Sequence, residues 1–368
     1  MSRYQSDKRT VLTLDAGGTN MVFGAMQGNE FIASPVTLPS NADNLDLCLE
    51  TMVKGFKEVI SGCVSAPVAI SFAFPGPADY PDGIIGGYLP NFPSFRDGVA
   101  LGPFLENVFG VPVFINNDGD LFAYGEALGG VFPQINTRLE KAGSAKRFKN
   151  LIGYTFGTGL GIGTVIDGRL NRGDNSCVET FCLPDMENKD TIVEDYASIR
   201  AIIRYYKDFS GVDDCDLSPK DIFDIAEGVR DGDRIAAANA FRRFGTVVGG
   251  VISTAVTLMD GLVVLGGGLT AAAKYFMPAL LEEMRGKIRT LSGDELGRLQ
   301  MEVFNLDEPE QFARFAAGAS RRLKVYGTED TVIYDPMKRT GVAVSKLGAS
   351  KAISVGAYNF ALSQLDGE

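Results

Sequence analysis

Val11-Leu12-Thr13-Leu14-Asp15-Ala16-Gly17-Gly18-Thr19 sets a run of β-formers against a carboxylate and two glycines. Two more stretches follow the same plan. Residues 151–156 lead into Gly157-Thr158-Gly159-Leu160-Gly161, and residues 262–265 lead into Gly266-Gly267-Gly268. A glycine turn lets main-chain N–H groups approach an anion closely, because no Cβ stands in the way. One such turn at a strand end says little. Three point to a nucleotide held between two similar half-domains, and so to a phosphoryl-transfer enzyme. The alternation through Gly157, Gly159, Gly161 and Gly163 is not the spacing of a dinucleotide fingerprint, and no G-x-x-x-x-G-K-[ST] occurs.

With 368 residues the chain has room for two domains and a sizeable core. Hydrophobic residues make up 45%, as in globular proteins. Lys and Arg total 35 against 46 Asp and Glu, a net charge of −11. That balance argues against nucleic acid or an anionic membrane as a partner. No apolar run reaches the length of a membrane span, and residues 1–9 have no apolar signal core behind them. A cytoplasmic location is therefore expected. The cysteines at 48, 63, 177, 182 and 215 are irregularly spaced, which suits reduced thiols better than a disulfide framework. The chain has no histidine. Ser-His-Asp and Cys-His nucleophilic machinery and His-based zinc catalysis are excluded. A general base here must be a carboxylate, a lysine, a tyrosine or a cysteine.

Residues 11–14 and 21–26 are expected as strands about the first glycine turn, with Gly28-Asn29 turning the chain into Phe31-Ile32-Ala33. Leu45, Leu49, Met52, Val53, Phe56 and Ile60 recur at helical spacing. Residues 68–74 read as a buried strand ending at Pro75-Gly76-Pro77, 101–109 as a short helix, 113–115 as a strand and 121–128 as a helix. This order makes an α/β half-domain. Residues 134–150 are polar and basic, and read as a surface insertion. Residues 151–156 and 161–166 then repeat the strand-turn-strand plan of 11–26. Helices are expected over 190–206, 219–227, 235–259, 271–291 and 351–365, with a strand at 262–265. Gly245, Gly249 and Gly250 weaken the long helix. The expected domains are 1–121 and 122–350, the terminal helix of about 351–368 packing back on the first.

Two further pieces lie between the glycine turns: Ser71-Phe72-Ala73-Phe74-Pro75-Gly76-Pro77, and Val113-Phe114-Ile115-Asn116-Asn117-Asp118-Gly119-Asp120 followed by Tyr124-Gly125-Glu126. In this order the five motifs resemble the ROK family (repressor, open reading frame, kinase) of sugar kinases, within the actin- and hexokinase-like superfamily. The resemblance runs from about Val11 to the terminal helix. It implies an α/β fold of two actin-like (ribonuclease H-like) domains with a cleft between them. It also implies a homodimer that takes a hexose and ATP with Mg²⁺, and no nucleic acid or membrane.

The roles it implies are these. Asp15 would hold a hydrated Mg²⁺, and Gly17, Gly18 and Thr19 would donate to phosphate oxygens. Gly157, Thr158 and Gly159 resemble the second phosphate loop, and Gly267 and Gly268 the nucleoside-binding turn. Gly76 would line the sugar cleft and Asn117 would bind the sugar. Asp118 would be the base that takes the proton of the sugar hydroxyl, O6 of glucose being the first expectation. Glu179 and Glu194 would grip ring hydroxyls, since a carboxylate accepts several hydrogen bonds. The bland alternatives are plain hairpins at the glycines, a helix N-cap at Asp118 and a first-turn carboxylate at Glu194.

The chain also departs from the family pattern. The family histidine after Glu179 falls on Cys182, and the family's His-and-Cys zinc segment is replaced by residues 183–190. No structural zinc site is expected. Cys177, Cys182 and Cys215 include no C-x-x-C pair that would gather a metal. The loss of that histidine keeps other readings open. One is a sugar-binding or regulatory relative without turnover. Another is a kinase for N-acetylmannosamine, N-acetylglucosamine, mannose or fructose. The DNA-binding repressor branch carries a helix-turn-helix domain ahead of the first phosphate loop, which here begins at Asp15.

Overall fold

The computed structural model describes residues 4–76, 78–212 and 216–367. Pro77 and Cys215, both singled out in the sequence, lie outside the described residues.

The opening stretch forms β1 (Thr10–Ala16) and β2 (Asn20–Gln27), antiparallel about the first glycine turn. Gly28 and Asn29 take φ of 56° and 71°, the left-handed pair that a two-residue hairpin turn requires. They lead to β3 (Glu30–Phe31), and β4 (Val36–Pro39) pairs on the same strand, β2. Next comes α1 (Leu45–Ser61), capped by the Asn44 side chain on the Leu47 N–H. Then follow β5 (Pro67–Ala73), a small sheet of β6 (Ala78–Asp79), β7 (Ile84–Ile85) and β8 (Val99–Ala100), and α2 (Leu101–Phe109), β9 (Val113–Asn116) and α3 (Asp118–Leu128). The sheet order is β3-β2-β1-β5-β9, antiparallel up to β1 and parallel beyond it. Phe23, Phe56, Phe72, Phe74, Phe92 and Phe95 are fully buried in its core.

The chain continues through α4 (Val131–Lys141), β10 (Leu151–Phe156), β11 (Leu160–Ile166) and β12 (Arg169–Asn171). Strand, glycine turn and strand recur across β10 and β11, as expected. After α5 (Ile199–Ser210), α6 (Pro219–Glu227) and α7 (Arg234–Met259) come β13 (Leu262–Gly266) and α8 (Ala273–Met284). The rest comprises β14 (Lys287–Arg289), β15 (Glu295–Gly297), β16 (Glu302–Asn305), α9 (Pro309–Ala317), β17 (Arg321–Lys324), β18 (Thr331–Tyr334), β19 (Arg339–Val344) and α10 (Ala349–Leu365). Strands β10, β13, β19 and β16 lie side by side, all parallel.

Three expectations are corrected. Residues 134–150 are not a simple surface insertion. Helix α4 runs to Lys141 and buries Ile135 and Leu139. The return segment is pinned because the Asn136 amide exchanges two 3.0 Å hydrogen bonds with the Phe148 main chain. Residues 190–206 are not one helix: Val193–Tyr196 is a 3-10 turn, Ser198 is extended, and α5 starts at Ile199. The helix expected to Leu291 ends at Met284, just ahead of Gly286, which favours leaving a helix.

The contacts divide the chain into two compact units. One comprises Met1–Pro133, Ile162–Val178 and Lys346–Glu368; the other comprises Gln134–Gly161 and Glu179–Ser345. The first unit therefore includes α10 and extends past the expected boundary at 121. Within it, α10 packs on α3 and the sheet, backbone to backbone. A Cβ on Gly125 would collide with the Ala352 carbonyl, and one on Gly356 with the Leu121 carbonyl. Gly356→Ala is expected to cost roughly 2 kcal/mol or more by forcing the helices apart. Urea unfolding measures this, and a loss within experimental error would refute the packing account.

Candidate active site

In the first unit, the parallel register lines up the carboxyl ends of three strands. Asp15 on β1 pairs with Ala73 on β5, and Ala73 with Asn116 on β9. The loops that leave this row carry the predicted residues. Beyond β1, the Gly17 N–H donates to the Asn20 carbonyl at 3.0 Å, and a Cβ on Gly17 would stand 2.8 Å from that oxygen. Gly18 backs onto Asn91, and its carbonyl accepts from the Ser40 hydroxyl. Gly18 and Thr19 are exposed, and among the described residues their N–H groups donate to no protein atom. Such free, adjacent N–H groups are what an anion cradle needs.

Beyond β5, the Phe74 N–H donates to the Asn116 carbonyl at 3.0 Å, and the Phe74 ring packs on Phe92 and Phe95. Gly76 sits against the Tyr80 hydroxyl, which donates to the Phe74 carbonyl at 2.8 Å. This loop is thereby tied to β9. Beyond β9, the cap of α3 is Asn117 and not Asp118. Asn117 Oδ1 accepts from the Gly119 N–H at 2.7 Å, which leaves its NH₂ as a donor. Asp118 is the first residue of the helix, and its Oδ1 takes the same N–H at 2.9 Å. Water reaches both Asp15 and Asp118, yet enough protein surrounds them to disfavour the charged form. Burial raises both carboxyls above the usual range. The charge of Asp15 raises Asp118 further, and the hydrogen bond from Gly119 opposes the shift. The two carboxylates are thus close enough to feel each other.

Residues behind Asp118 escaped the sequence reading. Asp120 is 6% exposed. Burial pushes its carboxyl up to about 7, with Arg172 opposing and Asp118 adding to the shift. The half-buried Arg172 donates from Nη1 to Asn116 Oδ1 at 3.0 Å and lies over the Phe360 ring of α10 at 5.3 Å. Asn116 is fully buried, and its Nδ2 has no partner among the described residues. One signal was available: Asp120 leads directly into the apolar run Leu121-Phe122-Ala123, and the structure buries all of residues 119–127. Nothing in the sequence marked Arg172.

The second unit carries the remaining predicted residues. Strands β10 and β13 are parallel neighbours, with Thr155 opposite Gly266, so the loops at Gly157 and Gly267 leave the same edge. The Gly157 N–H donates to the Gly159 carbonyl at 3.1 Å, and the exposed Thr158 sits between them. Gly267 has φ 90° and lies against the Phe156 main chain, where a Cβ would not fit; Gly268 is open. Glu194, on the 3-10 turn, serves the loop directly. Its Oε2 accepts the Leu160 N–H at 3.0 Å, and its Oε1 pairs with Arg200 at 3.3 Å. Burial raises the Tyr154 phenol, and the charge of the half-buried Glu179 adds to that shift. Cys177 and Cys182 are exposed free thiols. The segment after Cys182 is closed by the buried Asp185, whose carboxylate accepts from the Glu187 and Asn188 N–H groups at 2.9 and 3.0 Å.

A family model described as the ROK family matches residues 11–296. The chain belongs to the ROK family. A solved glucokinase from Parabacteroides distasonis is 56% identical, with a TM-score of 0.91, covering 98% of this chain and 99% of that one. The N-acetyl-D-glucosamine kinase of Yersinia enterocolitica is 26% identical over 70% of this chain and 83% of its own length. A Clostridium perfringens protein is 27% identical over 53% of this chain, a match that spans 60% of that relative. The α/β architecture described above is thus the actin-like fold of the ROK kinases.

Asp120 gives this ROK site a pH signature. A carboxyl whose folded pKa of about 7 lies above its unfolded value of 3.8 stabilises the fold only while protonated. Its contribution falls as pH rises from about 4 through 7. Asp120→Asn removes that loss, so the variant should gain roughly 2 kcal/mol on wild type between about pH 5 and pH 8. Denaturant unfolding at the two pH values tests this, and parallel pH dependences for both proteins would contradict it.

Proposed function

We propose that this ROK protein transfers the γ-phosphoryl group of ATP to a hexose hydroxyl, with Asp118 as the base and O6 of glucose as the acceptor. The observation that carries the reading is the strand register that brings Asp15, the free N–H groups of Gly18 and Thr19 and the loop to Asp118 to the carboxyl ends of neighbouring strands. An accessible carboxylate with a raised pKa is a better proton acceptor than an ordinary aspartate. Asp118 would take the hydroxyl proton as the sugar oxygen bonds to the γ-phosphorus and the bond to the ADP oxygen breaks. Asn117, its oxygen spent on the helix cap, would offer its NH₂ to the sugar. Gly76 would let the ring approach the loop beyond β5.

The N–H groups of Gly18 and Thr19, and of Thr158 and Gly159, would hold the phosphates in turns that Gly17 and Gly157 close with their own hydrogen bonds, and the turn at Gly267 and Gly268 would hold the nucleoside. Asp15 offers the hard oxygen donor that suits a hydrated Mg²⁺. When bound, that ion would neutralise phosphate charge in the transition state. Glu179 would accept from ring hydroxyls. Glu194 holds the second loop in shape and would meet the sugar only with what remains of its acceptor capacity.

Glucose ranks first because the relative at 56% identity is a glucokinase. N-acetylglucosamine, N-acetylmannosamine, mannose and fructose complete the panel for an ADP-release assay with ATP and Mg²⁺. Glucose should give the highest kcat/KM. Sugar binding without ADP release from any of the five would overturn the kinase reading in favour of a binder. Asp118→Asn should keep sugar affinity within a few-fold and lose roughly 1,000-fold or more in kcat. Retained turnover in that variant would remove Asp118 from the role of base.

A further inference from the structure

The second glycine turn, Gly157-Thr158-Gly159-Leu160, is gripped from one side by residues far along the chain. The Gly157 carbonyl accepts from the Ile199 N–H at 2.9 Å, and the Thr158 carbonyl accepts from Arg200 Nη1 at 3.0 Å. Ile199 and Arg200 are the first two residues of α5. A planar trans peptide points its C=O and its N–H in opposite directions. Drawing the carbonyls of Gly157 and Thr158 toward the start of α5 therefore turns the N–H groups of the same two peptides, those of Thr158 and Gly159, away from it. Among the described residues these N–H groups donate to no protein atom. The rest of the turn is closed. The Gly157 N–H donates to the Gly159 carbonyl at 3.1 Å, and the Leu160 N–H donates to Glu194 Oε2 at 3.0 Å. Two successive, unspent N–H groups aimed away from α5 make an anion-binding concavity.

The grip of Ile199 needs no side chain, but that of Arg200 does. Arg200 Nη2 lies 3.3 Å from both Glu194 Oε1 and Asp195 Oδ1, which sets the plane of the guanidinium. Two carboxylates face this one cation, so its charge is spent on them rather than on a ligand. We propose that Arg200 is a positioning residue for a phosphate group of the nucleotide: it holds the Thr158 carbonyl so that the Gly159 N–H faces the anion. The proposal rests on the reading of this turn as a phosphate cradle. Without the guanidinium the Thr158–Gly159 peptide is free to turn over, because glycine restricts its own backbone little. A flipped peptide would present a carbonyl oxygen to the anion in place of a donor. The first unit repeats the device. The Ser40 hydroxyl donates to the Gly18 carbonyl, and the Thr19 N–H of that same peptide is unspent. Arg200 and Ser40 stand 42 and 22 positions from the carbonyls they hold, so neither is marked by the spacing of the glycine turns.

Amide NMR on the full chain, titrated with ADP and separately with adenosine, tests this on wild type and on Arg200→Ala. The Arg200 side chain is 52% exposed, so its loss leaves the core intact. In wild type, ADP should shift the Thr158 and Gly159 amide resonances and adenosine should leave them in place. The variant should bind ADP ~10-fold more weakly while its adenosine affinity stays within roughly two-fold. At saturating ADP its Gly159 amide should shift much less than in wild type. An ADP affinity equal to wild type, or an equal weakening toward ADP and adenosine, would overturn the role of Arg200. So would a Gly159 shift of full size in the saturated variant, which would make the guanidinium a phosphate ligand itself. Wild-type Thr158 and Gly159 amides that ignore ADP would instead overturn the cradle, and with it the reading on which the proposal rests.

Discussion

The parallel hydrogen bonding of β1, β5 and β9 fixes the first unit's chemistry. It sets Asp15, Ala73 and Asn116 in one row, so three loops far apart in sequence leave the sheet side by side. A shift of one residue in either pairing would turn alternate side chains to the opposite face. It would also part Asp15 from Asp118. Ligands of open α/β sheets collect at the carboxyl ends of the strands for this reason. The second unit repeats the device with β10 and β13, whose register brings the turns at Gly157 and Gly267 to one edge.

Much of this was legible because glycine and strand ends leave strong local marks. The DAGGT turn, the Gly28-Asn29 hairpin and the Asn117-Asp118 junction all lie where the sequence puts them. The long helix did too, although its glycines argued against it. Gly245 and Gly249 lie against the main chain of α8, where a Cβ would collide with Phe276 or press on Leu280. Propensity penalises them in isolation, and packing makes them necessary. Gly163, which reads as part of a phosphate loop, in fact lets β11 reach Gly119 of α3.

What stayed hidden depends on contacts between distant residues. Residues 134–150 look like a polar loop because Val131 and Phe132, which complete the buried helical period of Ile135 and Leu139, lie ahead of position 134. The break between Tyr196 and Ile199 has no proline or glycine to announce it. It coincides with Glu194 reaching back to the Leu160 N–H, a bond across 34 positions. The hydrogen bond of Arg172 to Asn116 and its attraction for the buried Asp120 could not be read from spacing.

The electrostatics follow from the same crowding. Carboxylates gathered at one sheet edge and partly removed from water all shift upward, and among them Asp118 alone combines solvent access with a place at a helix start. The most direct measurement is a crystal structure of the full chain with a hexose and a non-hydrolysable ATP analogue. The account predicts one sugar hydroxyl within hydrogen-bond reach of the Asp118 carboxylate and phosphate oxygens on the Gly18 and Thr19 N–H groups. A nucleotide bound away from those N–H groups, or a sugar that leaves Asp118 untouched, would contradict it.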